Sequence, residues 1–198
     1  VGFSYRSSIS YTVEGSAVFS GTSAALLTGN VHADIKMPDS ASLSIFSTVS
    51  PKWEVMADLT HTGWSSVKKL DVIRSNAVPA GAAGSLLTSE PFNYKDTLRV
   101  GIGANYKMND STKLRFGLAF DPTPSNDIDR SPRLPDQDRT WLAFGVQYKP
   151  SKEGVLEVGY AHEFVKDAQV NNAAAAGRLI GTFKDKADIL SVQYSHRF

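Results

Sequence analysis

The end of the chain, residues 186–198, has the sequence KADILSVQYSHRF and alternates between two kinds of side chain. One parity carries Leu190, Val192, Tyr194, His196 and Phe198, and the other carries Ser191, Gln193, Ser195 and Arg197. A period of two is that of a β-strand with one apolar face. A soluble chain seldom ends on a strand whose last residue is aromatic. Residues 186–198 are therefore predicted to form the last strand of a sheet, with one face buried in an apolar environment.

The composition is compatible with a membrane protein that crosses the bilayer with strands. The chain has 198 residues, no Cys and a net charge of +1. It contains no run of about 18 apolar residues, so a transmembrane helix is not expected. Strands of a membrane barrel alternate lipid-facing and lumen-facing residues, which keeps the mean hydropathy near that of a soluble protein. Near-neutral charge gives no reason to expect a nucleic-acid partner. The chain opens directly in strand pattern without a signal peptide, which is expected of a mature chain or a fragment.

Alternation predicts an all-β chain of about eight antiparallel strands. The predicted strands cover residues 2–14, 31–50 with an interruption at Pro38 and Asp39, 53–65, 96–108, 114–120, 140–149, 155–165 and 186–198. Long loops are predicted at 15–30, 68–94, 121–139 and 167–185, and short turns near Pro51, Asp110 and Ser151. Outer-membrane barrels have short periplasmic turns and long extracellular loops. The alternation of loop lengths thus favours such a barrel over a soluble sandwich, with all four long loops outside the cell.

The charged residues predict which face of the strands is the lumen. An Arg or Lys against hydrocarbon costs about 2–4 kcal/mol at the bilayer midplane. The charged residues on the polar parity of the strands are Arg6, Glu54, Asp58, Arg99, Lys107, Arg115, Glu157 and Arg197. We expect them to point inward or to lie near an interface. Gly101, Gly103, Gly117, Gly145 and Gly159 share this parity, and they either leave room for a plug or a passage or only permit strand curvature.

Several motifs resemble those of a known family. They are MPDSASLSIF at 37–46, KWEVMADLTHTGWS at 52–65, DTLRVGIGANYKM at 96–108, SPRLPDQDR at 131–139 followed by TWLAFGVQY, and LEVGYAHEF at 156–164. In order and over essentially the whole chain, they resemble the FadL family of outer-membrane transporters of long-chain fatty acids and other hydrophobic compounds. The C-terminal strand likewise resembles the assembly signal of bacterial outer-membrane barrels, carried here by Tyr194 and Phe198.

The resemblance implies a fold, a location and partners. The family barrel is a monomer of about fourteen strands with a small N-terminal hatch and a lateral outlet into the membrane. Residues 1–198 match its C-terminal portion, so the hatch and the first strands are expected to be absent from this chain. The implied function is passive uptake of fatty acids or other hydrophobic compounds across the outer membrane, without a cofactor. The implied partners are these small molecules, outer-membrane lipid and lipopolysaccharide, and the barrel assembly machinery.

Site residues follow from the same resemblance and from the face assignment. Arg99, Lys107 and Arg115 are candidates to meet a ligand carboxylate in the lumen, and salt bridges with Asp58, Glu54 and Glu157 are the alternative role. Pro135, Asp136 and Arg139 are expected to fix the loop above the barrel and, secondarily, to gate it.

Other functions compete with uptake of fatty acids. Within the family, uptake of aromatic hydrocarbons is the alternative. Outside it, a general porin would need a charged constriction loop, and an outer-membrane hydrolase would need a Ser–His arrangement within reach. The chain shows no G-x-S-x-G motif, and its four His residues are scattered and suggest neither a catalytic nor a metal site.

Overall fold

The protein is almost entirely β-structure in a computed structural model that describes residues 1–21, 24–174 and 177–197. The strands are β1 (Gly2–Arg6), β2 (Ile9–Ala17), β3 (Gly29–Met37), β4 (Ser40–Thr48), β5 (Trp53–Thr62), β6 (Lys69–Arg74), β7 (Leu86–Pro91), β8 (Thr97–Lys107), β9 (Thr112–Asp121), β10 (Arg139–Tyr148), β11 (Gly154–Val165), β12 (Ala168–Ala174), β13 (Gly177–Phe183) and β14 (Lys186–His196). Short 3-10 turns lie at Ala24–Leu27 and Trp64–Ser66. Within the described ranges, no helix has the length and apolar character needed to span a membrane.

Eight of these strands form one antiparallel sheet, in agreement with the predicted number. Its order is β1-β4-β5-β8-β9-β10-β11-β14. The register is regular across the middle of the sheet: Glu54 pairs with Asn105, Asn105 with Arg115, Arg115 with Gly145, and Gly145 with Gly159. Among the described residues, β1 and β14 each pair with one neighbour. The sheet is therefore an open, curved wall with two free edges rather than a closed eight-stranded barrel.

The first predicted strand, residues 2–14, is broken in the structure, and this part of the prediction was wrong. β1 ends at Arg6 and β2 begins at Ile9, opposite the predicted interruption between Met37 and Ser40. Pro38 has no N–H to donate to a ladder, so pairing stops there on both strands. Beyond the break, β2 and β3 leave the main sheet and join a second one.

Three of the four predicted long loops contain strands. β2, β3, β6 and β7 form a four-stranded sheet, and β12 pairs with β13 as a hairpin. Long-range contacts hold the four-stranded sheet together. Arg74 Nη1 donates to the Leu27 carbonyl at 2.9 Å, and the Asn76 side chain accepts from the Asn30 N–H at 2.7 Å. Only the segment between β9 and β10 has no strand.

The two faces of the main sheet differ as alternation predicts. Exposed apolar residues cover one face, which we call the apolar face; they include Leu43, Leu59, Val100, Ile102, Leu118, Phe120, Leu142, Phe144, Val158, Leu190 and Val192. In the described part of the chain, the only buried residues with apolar side chains are Ala119, Pro124, Ala168 and Val170. The sheet thus has no apolar core of its own, and the hydrocarbon of a membrane is the environment that buries its apolar face.

Three polar contacts interrupt the apolar face at the end of the sheet away from the short turns. Asp188 on β14 accepts hydrogen bonds from the Tyr160 hydroxyl at 2.6 Å and contacts His162 Nδ1 at 2.6 Å. His61 on β5 lies 4.0 Å from Asp96, and the Tyr5 hydroxyl lies 3.5 Å from Asp39. Each contact pairs polar groups that would otherwise stand alone on this surface.

Candidate functional site

The opposite face of the main sheet, which we call the polar face, carries a set of ion pairs between neighbouring strands. Arg99 Nη1 lies 2.9 Å from Asp58 Oδ2, and Arg115 Nη2 lies 2.5 Å from Glu157 Oε1. Lys113 Nζ lies 3.1 Å from Glu54 Oε2. Paired charges belong where hydrocarbon is absent, so the polar face is the interior side of the wall.

The three predicted ligand-binding cations are not brought together. Lys107 lies at the short-turn end and contacts Asp110 at 3.2 Å. Arg115 lies opposite Gly145 in the middle of the sheet, and Arg99 lies opposite Thr60 toward the long loops. The alternative role is observed for two of them, since Arg99 pairs with Asp58 and Arg115 with Glu157.

Lys107 pairs with none of the three carboxylates, Asp58, Glu54 and Glu157, that were its alternative partners. Glu54 is occupied by Lys113 at 3.1 Å and by the Asn105 amide at 2.8 Å, so it does not reach Lys107. Sequence reasoning missed Lys113, although its parity on β9 places it beside Arg115.

A band of small residues crosses the polar face between these ion pairs. In the register, Met56 lies opposite Gly103, and the row continues through Gly117, Ala143, Ala161 and Ile189. Together with Arg115 and Glu157 at its margin, much of this row lines a groove of about 560 Å³, which we call the lumen groove. A Cβ added at Gly117 would meet only Ala143 Cβ, at 3.5 Å, so the glycine leaves open space above the sheet.

A second cavity, which we call the loop pocket, lies between the polar face and the loops. Its volume is about 520 Å³. Its apolar walls are Trp64, Tyr94, Pro122, Pro124 and Leu134, and its other lining residues are Thr60, Thr62, Thr97, Arg99, Asp121, Asp136 and Arg139. Such a volume is within the range of small-molecule sites.

Aromatic packing shapes one wall of the loop pocket. The rings of Trp64 and Tyr94 meet edge to face with centroids 5.9 Å apart, and Phe92 stacks on Tyr94 at 5.1 Å. Burial raises the pKa of the Tyr94 phenol above its ordinary value; a hydrogen bond with Ser125 opposes this rise, and nearby Asp136 adds to it. Tyr94 is therefore a neutral wall of the pocket at physiological pH.

Arg139 lies at the base of the loop between β9 and β10 with three carboxylates around it. Its Nη2 is 3.1 Å from Asp121, its Nη1 is 3.6 Å from Asp136, and its Nε is 3.5 Å from Glu163. Arg139 thus contacts Asp136 within the predicted loop motif. Asp136 also accepts from the Thr123 hydroxyl at 2.5 Å, which ties the two ends of the loop together.

The same loop contains four of the six buried polar residues of the described chain, and no pattern in the sequence points to them. Thr123, Ser125, Arg130 and Ser131 are all at most 5% exposed. Arg130 donates to Asp127 at 2.7 Å, to the Asp136 carbonyl at 3.0 Å and to the Gln169 carbonyl at 2.7 Å. The loop is therefore compact and forms a cover, rather than an extended loop. Pro135 lies on its far side, next to Arg133 and Lys186.

The predicted assembly residues lie on β14. Tyr194 is on the apolar face, opposite Leu156 on β11, and stacks on His196 with centroids 6.2 Å apart. Phe198 lies outside the described residues. In the ranges that the structure describes, no group of His, Cys, Asp and Glu has the arrangement of a metal site.

An antiparallel wall with a lipid-compatible outer face and a charged, grooved inner face defines a transmembrane β-barrel protein. The sequence model described as "Outer membrane protein transport protein (OMPP1/FadL/TodX)" matches residues 1–198. The chain belongs to this family of outer-membrane transport proteins. The predicted family, outer-membrane location and non-enzymatic class are thereby confirmed.

Relatives and solved structures agree with the family. The chain is 30% identical over its whole length to an outer-membrane protein of Neisseria meningitidis, of which it covers 47%. It is 29% identical over 71% of its length to the long-chain fatty acid transport protein of Salmonella typhi, of which it covers 31%. The chain thus spans about half or less of the length of these relatives.

Two crystal structures show the same fold at lower identity. A FadL homologue of Pseudomonas aeruginosa superposes with a TM-score of 0.86 at 24% identity, over 98% of this chain and 48% of that one. The Ralstonia pickettii toluene transporter TbuX gives a TM-score of 0.53 at 22% identity, over 96% of this chain and 40% of that one.

Proposed function

We propose that residues 1–198 form the C-terminal part of a barrel that takes up hydrophobic compounds passively across the outer membrane. In this proposal a longer protein supplies the hatch and the first strands, which complete the wall at the free edges of β1 and β14. The complete barrel is a monomer that sits among outer-membrane lipid and lipopolysaccharide. The barrel assembly machinery inserts it, with Tyr194 and Phe198 as the recognised residues.

The lumen groove is the observation that carries this proposal. Small residues at Gly117, Ala143 and Ala161 expose an apolar floor on a face that is otherwise charged. An apolar solute gains free energy when it leaves water for such a floor. An aqueous pore lined only by ion pairs would offer it no such gain.

Two classes of substrate suit an apolar groove and are both named among the similar proteins. One relative is a long-chain fatty acid transport protein, and one similar structure is a toluene transporter. For a fatty acid, Arg99 or Arg115 would have to receive the carboxylate and release its present partner. For an aromatic hydrocarbon, the apolar floor and walls suffice.

The test fills the groove without disturbing the wall. In the full-length protein, Gly117→Leu adds bulk to the groove, whereas Ala104→Leu adds the same bulk to the apolar face, since Ala104 lies opposite Phe116 on that face. We expect Gly117→Leu to reduce uptake of oleate or toluene by a deletion strain about tenfold or more, and Ala104→Leu to leave it unchanged. Heat-modifiable gel mobility checks that both barrels fold. Unchanged uptake with Gly117→Leu in a folded barrel would refute the groove as the route.

A further inference from the structure

Four lysines lie next to one another on the polar face at the short-turn end of the main sheet. Lys107 ends β8, and Lys113 lies directly opposite it on β9. Lys52 precedes β5, and its carbonyl accepts from the Lys107 N–H at 2.8 Å. Lys149 follows β10, and its N–H donates to the Ser111 carbonyl at 2.8 Å. Like charges on directly opposite residues of neighbouring strands repel each other, so this arrangement calls for a compensating anion.

The four lysines line one cavity, which we call the lysine pocket. Its volume is about 270 Å³. Glu54 and Asp110 are the carboxylates of its lining, which leaves the lining with a net charge of +2. Apart from Pro51, the other lining side chains are polar, and they include the hydroxyls of Thr48, Ser50, Ser111 and Thr112. The lysine pocket therefore suits a hydrophilic anion and offers no wall to a hydrocarbon chain.

The two carboxylates do not neutralise the lysines. Glu54 Oε2 is shared between Lys113 Nζ at 3.1 Å and the Asn105 amide at 2.8 Å. Asp110 lies 3.2 Å from Lys107, but its side chain is fully exposed, and water and salt screen such a pair. In the ranges that the structure describes, no carboxylate lies within 4 Å of Lys52 or Lys149. Two ammonium groups of the pocket are thus available to a ligand.

A dianion of the phosphate type matches this lining in charge and in hydrogen bonding. Lysine binds phosphate as a point charge, and hydroxyl groups can add hydrogen bonds to its oxygens. A phosphate monoester carries a charge of about −1.5 to −2 at pH 7, close to what the lining lacks. A long-chain carboxylate carries only one charge, and its chain would lie against polar walls.

The position of the lysine pocket favours a soluble ligand over a lipid headgroup. On the apolar face at the same end of the sheet lie Trp53 and Tyr106, whose rings are 4.8 Å apart, and Tyr148. Aromatic side chains of this kind mark the boundary between lipid and water in membrane barrels. The lysines lie on the other face, so the sheet itself separates them from the surrounding lipid.

We propose that the lysine pocket binds a small, water-soluble dianion of the phosphate type at the short-turn end of the lumen. This end faces the periplasm in the orientation expected from the loop lengths. Lys52 and Lys149 supply the available charges, and Lys107 and Lys113 add to the positive field. The lysine pocket and the lumen groove share no lining residue, so the proposal does not depend on the proposed route of uptake.

The test measures binding of radiolabelled inorganic phosphate to the purified full-length protein in phosphatidylcholine nanodiscs by equilibrium dialysis. We expect saturable binding to the wild type, which Lys149→Gln should weaken about tenfold because it removes a charge-assisted contact. Lys152→Gln is the matched control: it removes the same charge three residues away, but Lys152 does not line the pocket and its loss should change nothing. Asp110→Asn frees Lys107 and should strengthen phosphate binding about threefold, a gain that misfolding does not produce.

The outcomes that would overturn the proposal are distinct. Absence of saturable binding to the wild type, or equal effects of Lys149→Gln and Lys152→Gln, would refute the site. Competition by acetate as effective as that by unlabelled phosphate would refute the preference for a dianion. Displacement of bound phosphate when phosphatidic acid replaces part of the phosphatidylcholine would show that a lipid headgroup occupies the pocket, and would refute a soluble ligand.

Discussion

The guanidinium of Arg130 donates a hydrogen bond of 2.7 Å to the main-chain carbonyl of Gln169, 39 residues away in the sequence. It thereby joins the loop between β9 and β10 to strand β12. On either side of Gln169, Ala168 and Val170 are almost completely buried. One buried side chain thus holds together the cover over the loop pocket, and the wall formed by Pro122, Pro124 and Leu134 depends on it.

Arg130→Ala should loosen this cover without unfolding the wall. The change leaves two carbonyls and Asp127 without their donor, at a cost of about 3 kcal/mol to the local structure. We expect the segment 121–139 to become sensitive to limited proteolysis while heat-modifiable mobility stays that of the wild type. The matched control is Arg133→Ala, whose side chain is 79% exposed and lies 3.5 Å from Glu90. Equal protease sensitivity of the two variants would contradict the role of Arg130.

Charges placed on the two faces of the sheet should have opposite consequences. Leu142→Arg, Val100→Arg and Val158→Arg each put a cation against lipid, which costs about 2–4 kcal/mol near the bilayer midplane. Gln147→Arg and Asn105→Arg put the same cation on the polar face, where Glu157 and Glu54 can receive it. The yield of folded barrel in outer-membrane fractions measures the difference. Similar losses in both sets would reverse the assignment of the faces.

Changes at the end of β14 should affect assembly and not transport. Tyr194→Asp places a charge on the apolar face of an edge strand, and deletion of Phe198 removes the terminal aromatic residue. Both should lower the amount of folded barrel, whereas uptake per folded molecule should stay near that of the wild type. Gln193→Asp, on the polar face of the same strand, is the control and should assemble normally. Reduced uptake per folded molecule would tie these residues to the ligand route.

Acid should loosen the aromatic wall of the loop pocket through Asp96. Hydrogen bonds from the Ser65 side chain and main-chain N–H, the latter at 2.8 Å, lower the pKa of Asp96 below its ordinary value of 3.8. A carboxylate with a lowered pKa stabilises the fold above that ordinary value, and this contribution is lost as the pH falls through the lower folded value. We expect the fluorescence of Trp64, taken as the difference from Trp64→Phe, to stay constant down to about pH 4 and to change below it. Asp96→Asn should abolish that change.

Alternation alone identified the eight strands of the main sheet and the face on which each residue lies. This succeeded because a membrane wall imposes the same environment on every second residue. On β10, for example, Leu142 lies on the apolar face and Gln147 lies on the polar face. Salt bridges on the polar face were the alternative role predicted for Arg99 and Arg115, and the structure pairs them with Asp58 and Glu157 on neighbouring strands.

The strands within the loops and the loop pocket were not foreseen, for a different reason. β6 acquires one of its partners, β3, from a distant segment, and its Arg74 donates a hydrogen bond to the Leu27 carbonyl. Arg130 is buried only because β12 passes beside it, and the local sequence does not indicate this contact. Tertiary contact, rather than local pattern, decides the structure of these segments.

The ends of the β-ladders at the short turns shift steadily along the main sheet. The last pairs are Thr48–Glu54, Lys107–Lys113, Tyr148–Leu156 and Gly154–His196, a drift of about one residue per strand in the register. With a rise of about 3.3 Å per residue and a strand spacing of about 4.8 Å, this drift tilts the strands by about 35°.

Membrane depth therefore has to be counted from each turn and not along a row of paired residues. Counted in this way, His61, His162, Asp188 and Asp39 all lie seven to nine residues above the ends of their ladders. On tilted strands this is a height of about 19–24 Å, close to the apolar band of about 25 Å in outer-membrane barrels. The polar contacts on the apolar face thus form a band at similar height, where hydrocarbon gives way to the lipid headgroups on the side of the long loops.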